Sequence, residues 1–191
     1  MERVSLNNVQ LDYLANKDPY LCCYFYQTVA CDELPEAPRR DIPQAYIVNT
    51  DPAHLPGRHW IALWTYDGDK CEVMDSYGLP LHVYKTAEPL ETWLKNHWKL
   101  VEQNRESLQT IYSQSCGNYA LLYLMDRARG KPMKHFIKQF RKHAYVDNDH
   151  KVGQMFRRVI VNDLLWQTLD QSSARQSGVR SCQGVRHLLR E

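Results

Sequence analysis

Residues 59–75 read His-Trp-Ile-Ala-Leu-Trp-Thr, then Tyr-Asp-Gly, then Asp-Lys-Cys-Glu-Val-Met-Asp, and no other stretch of the chain restricts its fold as strongly. Two strand-like runs are joined by a three-residue loop whose last member, Gly68, supplies the left-handed residue such a hairpin needs. Counting outward from that turn pairs Thr65 with Asp69, Leu63 with Cys71, Ile61 with Val73 and His59 with Asp75. One face of the first strand carries Ile61 and Leu63. The other carries Trp60, Ala62 and Trp64, so both faces are largely apolar and the hairpin belongs in the middle of a sheet.

The flanking sequence supplies the remaining elements. Leu6, Val9, Leu11 and Leu14 follow helical spacing up to Lys17-Asp18-Pro19, where a helix should stop. Residues 20–41 mix aromatics and cysteines with Pro35, Pro38 and Arg39-Arg40, and read as a surface connection. A strand is expected at 45–48, ended by the turn cluster Asn49-Thr50-Asp51-Pro52. Leu90, Trp93, Leu94 and His97 predict a helix within 86–99, with Thr86 as N-cap and Pro89 in the first turn. A short strand or extended piece is expected at 108–112. An apolar helix then follows from about Cys116 to its end at Gly130, with helical stretches at 133–143 and 151–161. The tail from Gln171 is rich in Ser, Gln and Arg.

With 191 residues, 43% hydrophobic and 24% charged, the chain suits one well-buried core rather than two. We expect a domain over 1–160 and a C-terminal extension over 161–191. The longest apolar runs, 61–64 and 119–125, fall far below the roughly 18–20 residues a membrane-spanning helix requires. The first residues show neither an export signal nor a lipidation motif, so no secretion is expected. Six cysteines (22, 23, 31, 71, 116 and 182) form no C-x-x-C pair and no zinc-type Cys/His spacing. No metal site is expected, and most of these thiols should behave as small buried hydrophobes.

Cys116 reads differently. It stands where a loop becomes a helix, so its sulfur meets the positive end of the helix dipole and its own N–H can face a developing oxyanion. Thiol catalysis also needs an imidazole, a group to orient it, and a further oxyanion donor. The hairpin register brings His59 to Asp75, which meets the first two needs. His97 precedes a tryptophan as His59 does, but its helical pattern marks it as a packed helix-end residue. Gln109 and Gln114 both precede Cys116 as candidate donors. Trp60 is a candidate cleft wall as well as a core residue. Asn49, Asp51, Asp32 and Glu33 are candidates for lining the cleft, although turn formation also accounts for Asn49 and Asp51.

Residues 45–50 (Ala-Tyr-Ile-Val-Asn-Thr), Pro56-Gly57-Arg58-His59-Trp60, Met74-Asp75-Ser76-Tyr77-Gly78, Leu108-Gln109 and Cys116-Gly117 together resemble the adenovirus-type cysteine proteases. The version in Polinton (Maverick) elements and adintoviruses, which also has a segment similar to Ala30-Cys31-Asp32-Glu33-Leu34-Pro35, is the most alike. The likeness spans about residues 20–155. It implies an α+β fold of papain-like or Ulp-like type, with a central mixed sheet and a helix carrying the nucleophile at its N-terminus. It further implies Cys116 as nucleophile, His59 as general base and acid, Asp75 as its orienting group, and Gln109 as side-chain oxyanion donor. The chemistry then needs no metal or cofactor. The family relation implies cleavage of capsid or other precursor proteins next to small residues during particle maturation, in a host nucleus or virion. A deconjugase for ubiquitin-like modifiers would use the same four residues. The adenovirus enzymes form a disulfide with a peptide activator through an upstream cysteine, whereas no cysteine lies between Cys71 and Cys116 here. They also have Glu where this chain has Asp75.

Net charge is only +2, but residues 126–158 hold ten Lys or Arg against three Asp. Such a face can bind DNA in a sequence-independent, salt-sensitive way, and the resemblance implies DNA as cofactor and track. A non-catalytic DNA-binding or virion protein on the same scaffold is the third reading.

Overall fold

A computed structural model describes residues 5–66 and 68–173, with side chains through residue 161. Its centre is a five-stranded mixed sheet in the order β1 (Phe25–Ala30), β2 (Ala45–Asn49), β3 (Trp60–Thr65), β4 (Lys70–Met74) and β5 (Leu100–Gln103). The β2–β3 and β3–β4 pairs are antiparallel, while β1 runs parallel to β2 and β5 parallel to β4. The hairpin β3–β4 is internal, as its two apolar faces require.

Each face has its own cover. Ile61, Leu63 and Val73 pack with Leu90, Trp93 and Leu94 of α2 (Glu88–His97). Ala62, Trp64 and Met74 pack with Leu11 and Leu14 of α1 (Asn8–Lys17) and with Leu121 and Leu124 of α3 (Cys116–Ala128). α3 is buried along almost its whole length and ends before Gly130, whose φ of +76° suits glycine. α1 starts with a capping box: Asn7 Oδ1 accepts from Gln10 N–H, and Gln10 Oε1 accepts from Asn7 N–H. Two further helices follow, α4 (Met133–Ile137) and α5 (Tyr145–Ser173).

Several sequence expectations are corrected. Residues 25–30 are not surface connection but an edge strand. Their burial does not alternate, and a bulge interrupts pairing between Phe25 and Gln27. The outer edge is blunted by Asp12, whose carboxylate accepts the Thr28 N–H at 2.7 Å. Residues 108–112 form no strand, because Leu108 and Gln109 both donate their N–H groups to the Ser76 carbonyl and are held as a loop. The fifth strand is instead Leu100–Gln103, reached from β4 through α2. Thr86 does not cap α2: its hydroxyl donates to Asp51 Oδ1, and the N-cap is Ala87. α4 is shorter than expected, ending at Ile137, the chain turns at His143 with φ +60°, and α5 is longer. α5 passes residue 161 without a break, and residues 174–191 of the expected extension lie outside the described residues.

The hairpin register also differs. Leu63 faces Val73 and Thr65 faces Cys71, a shift of two residues, and Tyr66 N–H closes the turn on Lys70 O at 3.0 Å. The shifted turn puts Lys70 Nζ 4.9 Å from the Tyr66 ring centre and lets the Tyr66 hydroxyl donate to Glu72 at 2.6 Å. It also frees Asp69 to pair with Arg40 and Lys99. A shift of two preserves which face each side chain occupies. His59 and Asp75 therefore remain on one face, at the same end of the sheet.

Candidate active site

His59 immediately precedes β3 and Asp75 immediately follows β4. The segment delivering His59 is fixed by polar contacts on the buried Asp51 carboxylate, to which the exposed Arg58 donates two-pronged hydrogen bonds and Thr86 donates as well. The Arg58 guanidinium holds the Asp51 carboxyl below its usual range against the opposing effect of burial. Gly57 has φ +82°, and a Cβ there would lie 2.7 Å from Asn49 Nδ2. Only glycine fits that loop without displacement. Asn49 Oδ1 in turn accepts from Asp51 N–H, the turn role read from sequence.

The ring of His59, 3% exposed, donates through Nε2 to Asp75 Oδ1 at 2.7 Å. Asp75 is completely buried and is itself held by several donors: Tyr77 N–H at 2.8 Å on Oδ1, and Leu79 N–H at 3.2 Å and the Tyr84 hydroxyl at 2.6 Å on Oδ2. Asn104 clamps its backbone, accepting from Asp75 N–H and donating to Asp75 O. Gly78, with φ +64°, lets the 104–107 segment approach this turn so closely that a Cβ would fall 2.6 Å from the Glu106 carbonyl carbon. Tyr77 and Tyr84 both stack on the imidazole, with ring centres at 4.3 and 5.5 Å.

The second ring nitrogen, Nδ1, is buried and makes no hydrogen bond of normal geometry among the described residues. It is nonetheless near enough to the Cys116 thiol for the two groups to perturb each other. Burial alone would depress the His59 pKa, but Asp75 and then Cys116 overcome it and raise it to about 9. Burial likewise pushes the Cys116 thiol up, yet His59 and the backbone N–H groups of Trp60 and Gly117 bring it below its ordinary value. Cys116 is the first residue of α3, which adds the favourable end of the helix dipole. Catalytic hydrogen bonds are often long before substrate binds, so the loose Nδ1 contact is compatible with proton exchange between these groups.

Gln109 is buried beside this group. Its Oε1 accepts from the Ser76 hydroxyl at 2.6 Å, and Nε2 donates to Ser113 O at 3.0 Å, leaving one amide hydrogen uncommitted. Gln114 points to solvent. His97 lies away from the site at the end of α2, packed against Trp93. Trp60 does two things: it joins the α3-side core and it borders a cavity that also touches Glu33, Asn49 and Asp51. Asp32 instead accepts from Ala53 N–H. The sequence reasoning did not find Asn104 or Tyr84, which have no local signature, nor a role for Ser76 and Tyr77, which directly follow Asp75. Among the described residues no group of three or more His, Cys, Asp and Glu is placed to hold a metal ion, and no helix is long and apolar enough to cross a membrane.

Solved structures offer distant likenesses. The chain is similar to the ASFV pS273R protease. In one crystal structure of it the TM-score is 0.42 at 16% identity, over 73% of this chain and 65% of that one. In a second the TM-score is 0.36 at 22% identity, over 60% and 43%. The central domain of the uncharacterized Lpg1148 protein from Legionella pneumophila gives 0.47 at 12% identity, over 83% and 99%. This chain thus spans 65% or less of the ASFV protease. No protein-family profile and no curated protein matches. Similarity at this level carries no functional argument, so the site geometry has to supply it.

Proposed function

We propose that this chain is a cysteine endopeptidase. The observation that carries the reading is the buried imidazole held at 2.7 Å by a fully buried carboxylate and coupled on its other side to a thiol at a helix start, with its own pKa raised and the thiol's lowered. In this reading Cys116 is a thiolate and His59 an imidazolium before substrate arrives. The thiolate adds to the scissile carbonyl, and the oxyanion takes hydrogen bonds from Cys116 N–H and the uncommitted amide hydrogen of Gln109. His59 then protonates the departing amine, leaving a thioester. It next takes a proton from water as that water attacks, and Cys116 is released. Asp75 remains ionised throughout and keeps the ring in position.

The motifs shared with the adenovirus-type proteases support precursor or capsid proteins of a virus or virus-like element as substrates, and a virion or nucleus as the place of action. The basic flank supports an accessory DNA contact. Of its ten cations, Arg127, Arg129, Lys131 and Arg141 are paired with acids. Lys134, Lys138, Lys142, Lys151, Arg157 and Arg158 are exposed and have no ion pair among the described residues. Binding of a DNA duplex should weaken linearly on a log–log plot against salt, and replacing Lys134, Lys138 and Lys142 by Ala should reduce that slope by about 2–3. A slope unchanged by the triple replacement removes this face as the contact.

The deciding experiment is mass-spectrometric mapping of mild alkylation at pH 6. Cys116 should react far ahead of Cys23, Cys31 and Cys71, and His59→Ala should remove that lead. Equal reactivity of these thiols refutes the peptidase assignment.

A further inference from the structure

A cavity of about 470 Å³ is bordered by Trp60, the residue after His59, and its walls have an unbalanced charge. Trp60 and Leu6 both border it, and both press on the α3 start: a Cβ on Gly117 would lie 3.4 Å from Trp60 Cδ1 and 3.3 Å from Leu6 Cβ. Trp60 and Leu6 thus separate the cavity from the start of α3 by the thickness of one side chain, which makes it the candidate continuation of a substrate path that passes Cys116. Two carboxylates line the wall. Asp51 is neutralised by Arg58 at 2.7 Å and satisfied by Thr86. Glu33 has no cation within ion-pair distance among the described residues, and neither does its neighbour Asp32. One Glu33 oxygen, Oε2, accepts the Ala30 N–H at 3.1 Å, which anchors the carboxylate at the cavity edge while Oε1 remains open to a ligand.

We propose that this cavity receives the substrate chain near the scissile bond and that Glu33 selects a Lys or Arg side chain there. The inference rests on the peptidase reading and adds to it a requirement on sequence: one position at a fixed distance from the cut carries a cation. The exposed setting of Glu33 limits the preference to about three- to tenfold, the range of a partly solvated ion pair.

The test uses the full chain and a mixture of peptides whose cut sites are read by mass spectrometry, for wild type, Glu33→Gln and Glu33→Lys. Gln retains an acceptor for the Ala30 N–H, so loss of charge is separated from loss of the anchor. Wild type should enrich Lys or Arg about three- to tenfold at one fixed position, Glu33→Gln should lose the enrichment, and Glu33→Lys should favour Asp or Glu there. A misfolded variant cannot produce that reversal. A second arm measures how tetralysine and tetraglutamate slow Cys116 alkylation at pH 6: tetralysine should protect wild type, and tetraglutamate should protect Glu33→Lys. Cutting without a basic preference, a preference that survives Glu33→Lys, or protection indifferent to these variants overturns the role of Glu33 while leaving a reactive Cys116 in place. An unreactive Cys116 overturns the peptidase reading and this inference with it.

Discussion

The imidazole of His59 is constrained on every side, and its pKa of about 9 follows from those constraints. Burial is the largest single effect and opposes protonation, and the Asp75 and Cys116 interactions together outweigh it. Asp75→Asn should therefore lower the His59 pKa from about 9, because burial is then opposed by Cys116 alone. The pH profile of kcat/KM for wild type should rise as pH climbs through the lowered thiol pKa, and fall as pH passes about 9, where the imidazolium loses its proton. In Asp75→Asn the falling limb should move to lower pH and peak activity should drop on the order of a hundredfold or more. A falling limb that stays near 9 would show that His59 is not the group titrating there. Gln109→Ala should lower kcat on the order of a hundredfold, whereas Gln114→Ala, on the solvent side, should leave it within about twofold. The pairing of His59 with Asp75 and the candidacy of Cys116 were readable from the residues. Gln109 was favoured over Gln114 by the resemblance alone, because no local pattern encodes the burial beside Ser76 and Ser113 that sets the two apart.

At the level of elements, the β3–β4 hairpin shows which part of a turn argument is robust. Loop length and glycine position pointed to one register, and the structure adopts another, two residues away. Tyr66, Lys70 and Glu72 reward the longer pairing with side-chain contacts that turn chemistry does not register. The faces survived because the pleat repeats every two residues, so His59 and Asp75 still meet although the expected pairing was incorrect. β1 was missed for a related reason: an edge strand beside an interrupted parallel partner need not alternate, and its open N–H is closed by Asp12 from α1. The loop before β3 depends on backbone shape. Gly57→Ala places a Cβ against Asn49 in a left-handed conformation, and should destabilise by about 1–2 kcal/mol in urea unfolding. It should also slow Cys116 alkylation at pH 6, since it shifts Arg58 and His59. Stability and reactivity both unchanged would mean that the loop does not govern the placement of His59.

Over the whole molecule, two apolar layers on opposite faces of one sheet meet at a buried charged cluster at the α3 side. Arg127 Nε lies 2.9 Å from Glu72 Oε2 at an angle too bent for a hydrogen bond, and its guanidinium sits over the Trp64 and Tyr66 rings. Tyr66 and Tyr123 donate to the two Glu72 oxygens. Arg127→Leu strands a buried carboxylate and should cost about 3–5 kcal/mol, while the double replacement with Glu72→Gln should recover most of it. Urea midpoints of the single and double variants decide this, and equal losses in both would mean that charge compensation is not what Arg127 provides. The amino-acid order alone determined the internal hairpin, the apolar α3 with a cysteine at its start and the uneven basic flank, because each follows from periodicity, turn chemistry or charge within a few residues. Only the tertiary structure decided the strand register, the membership of β1 and β5, the buried partners of Asp75 and Gln109, and which cations remain free. Those depend on contacts between segments tens of residues apart, whose energies no local window contains.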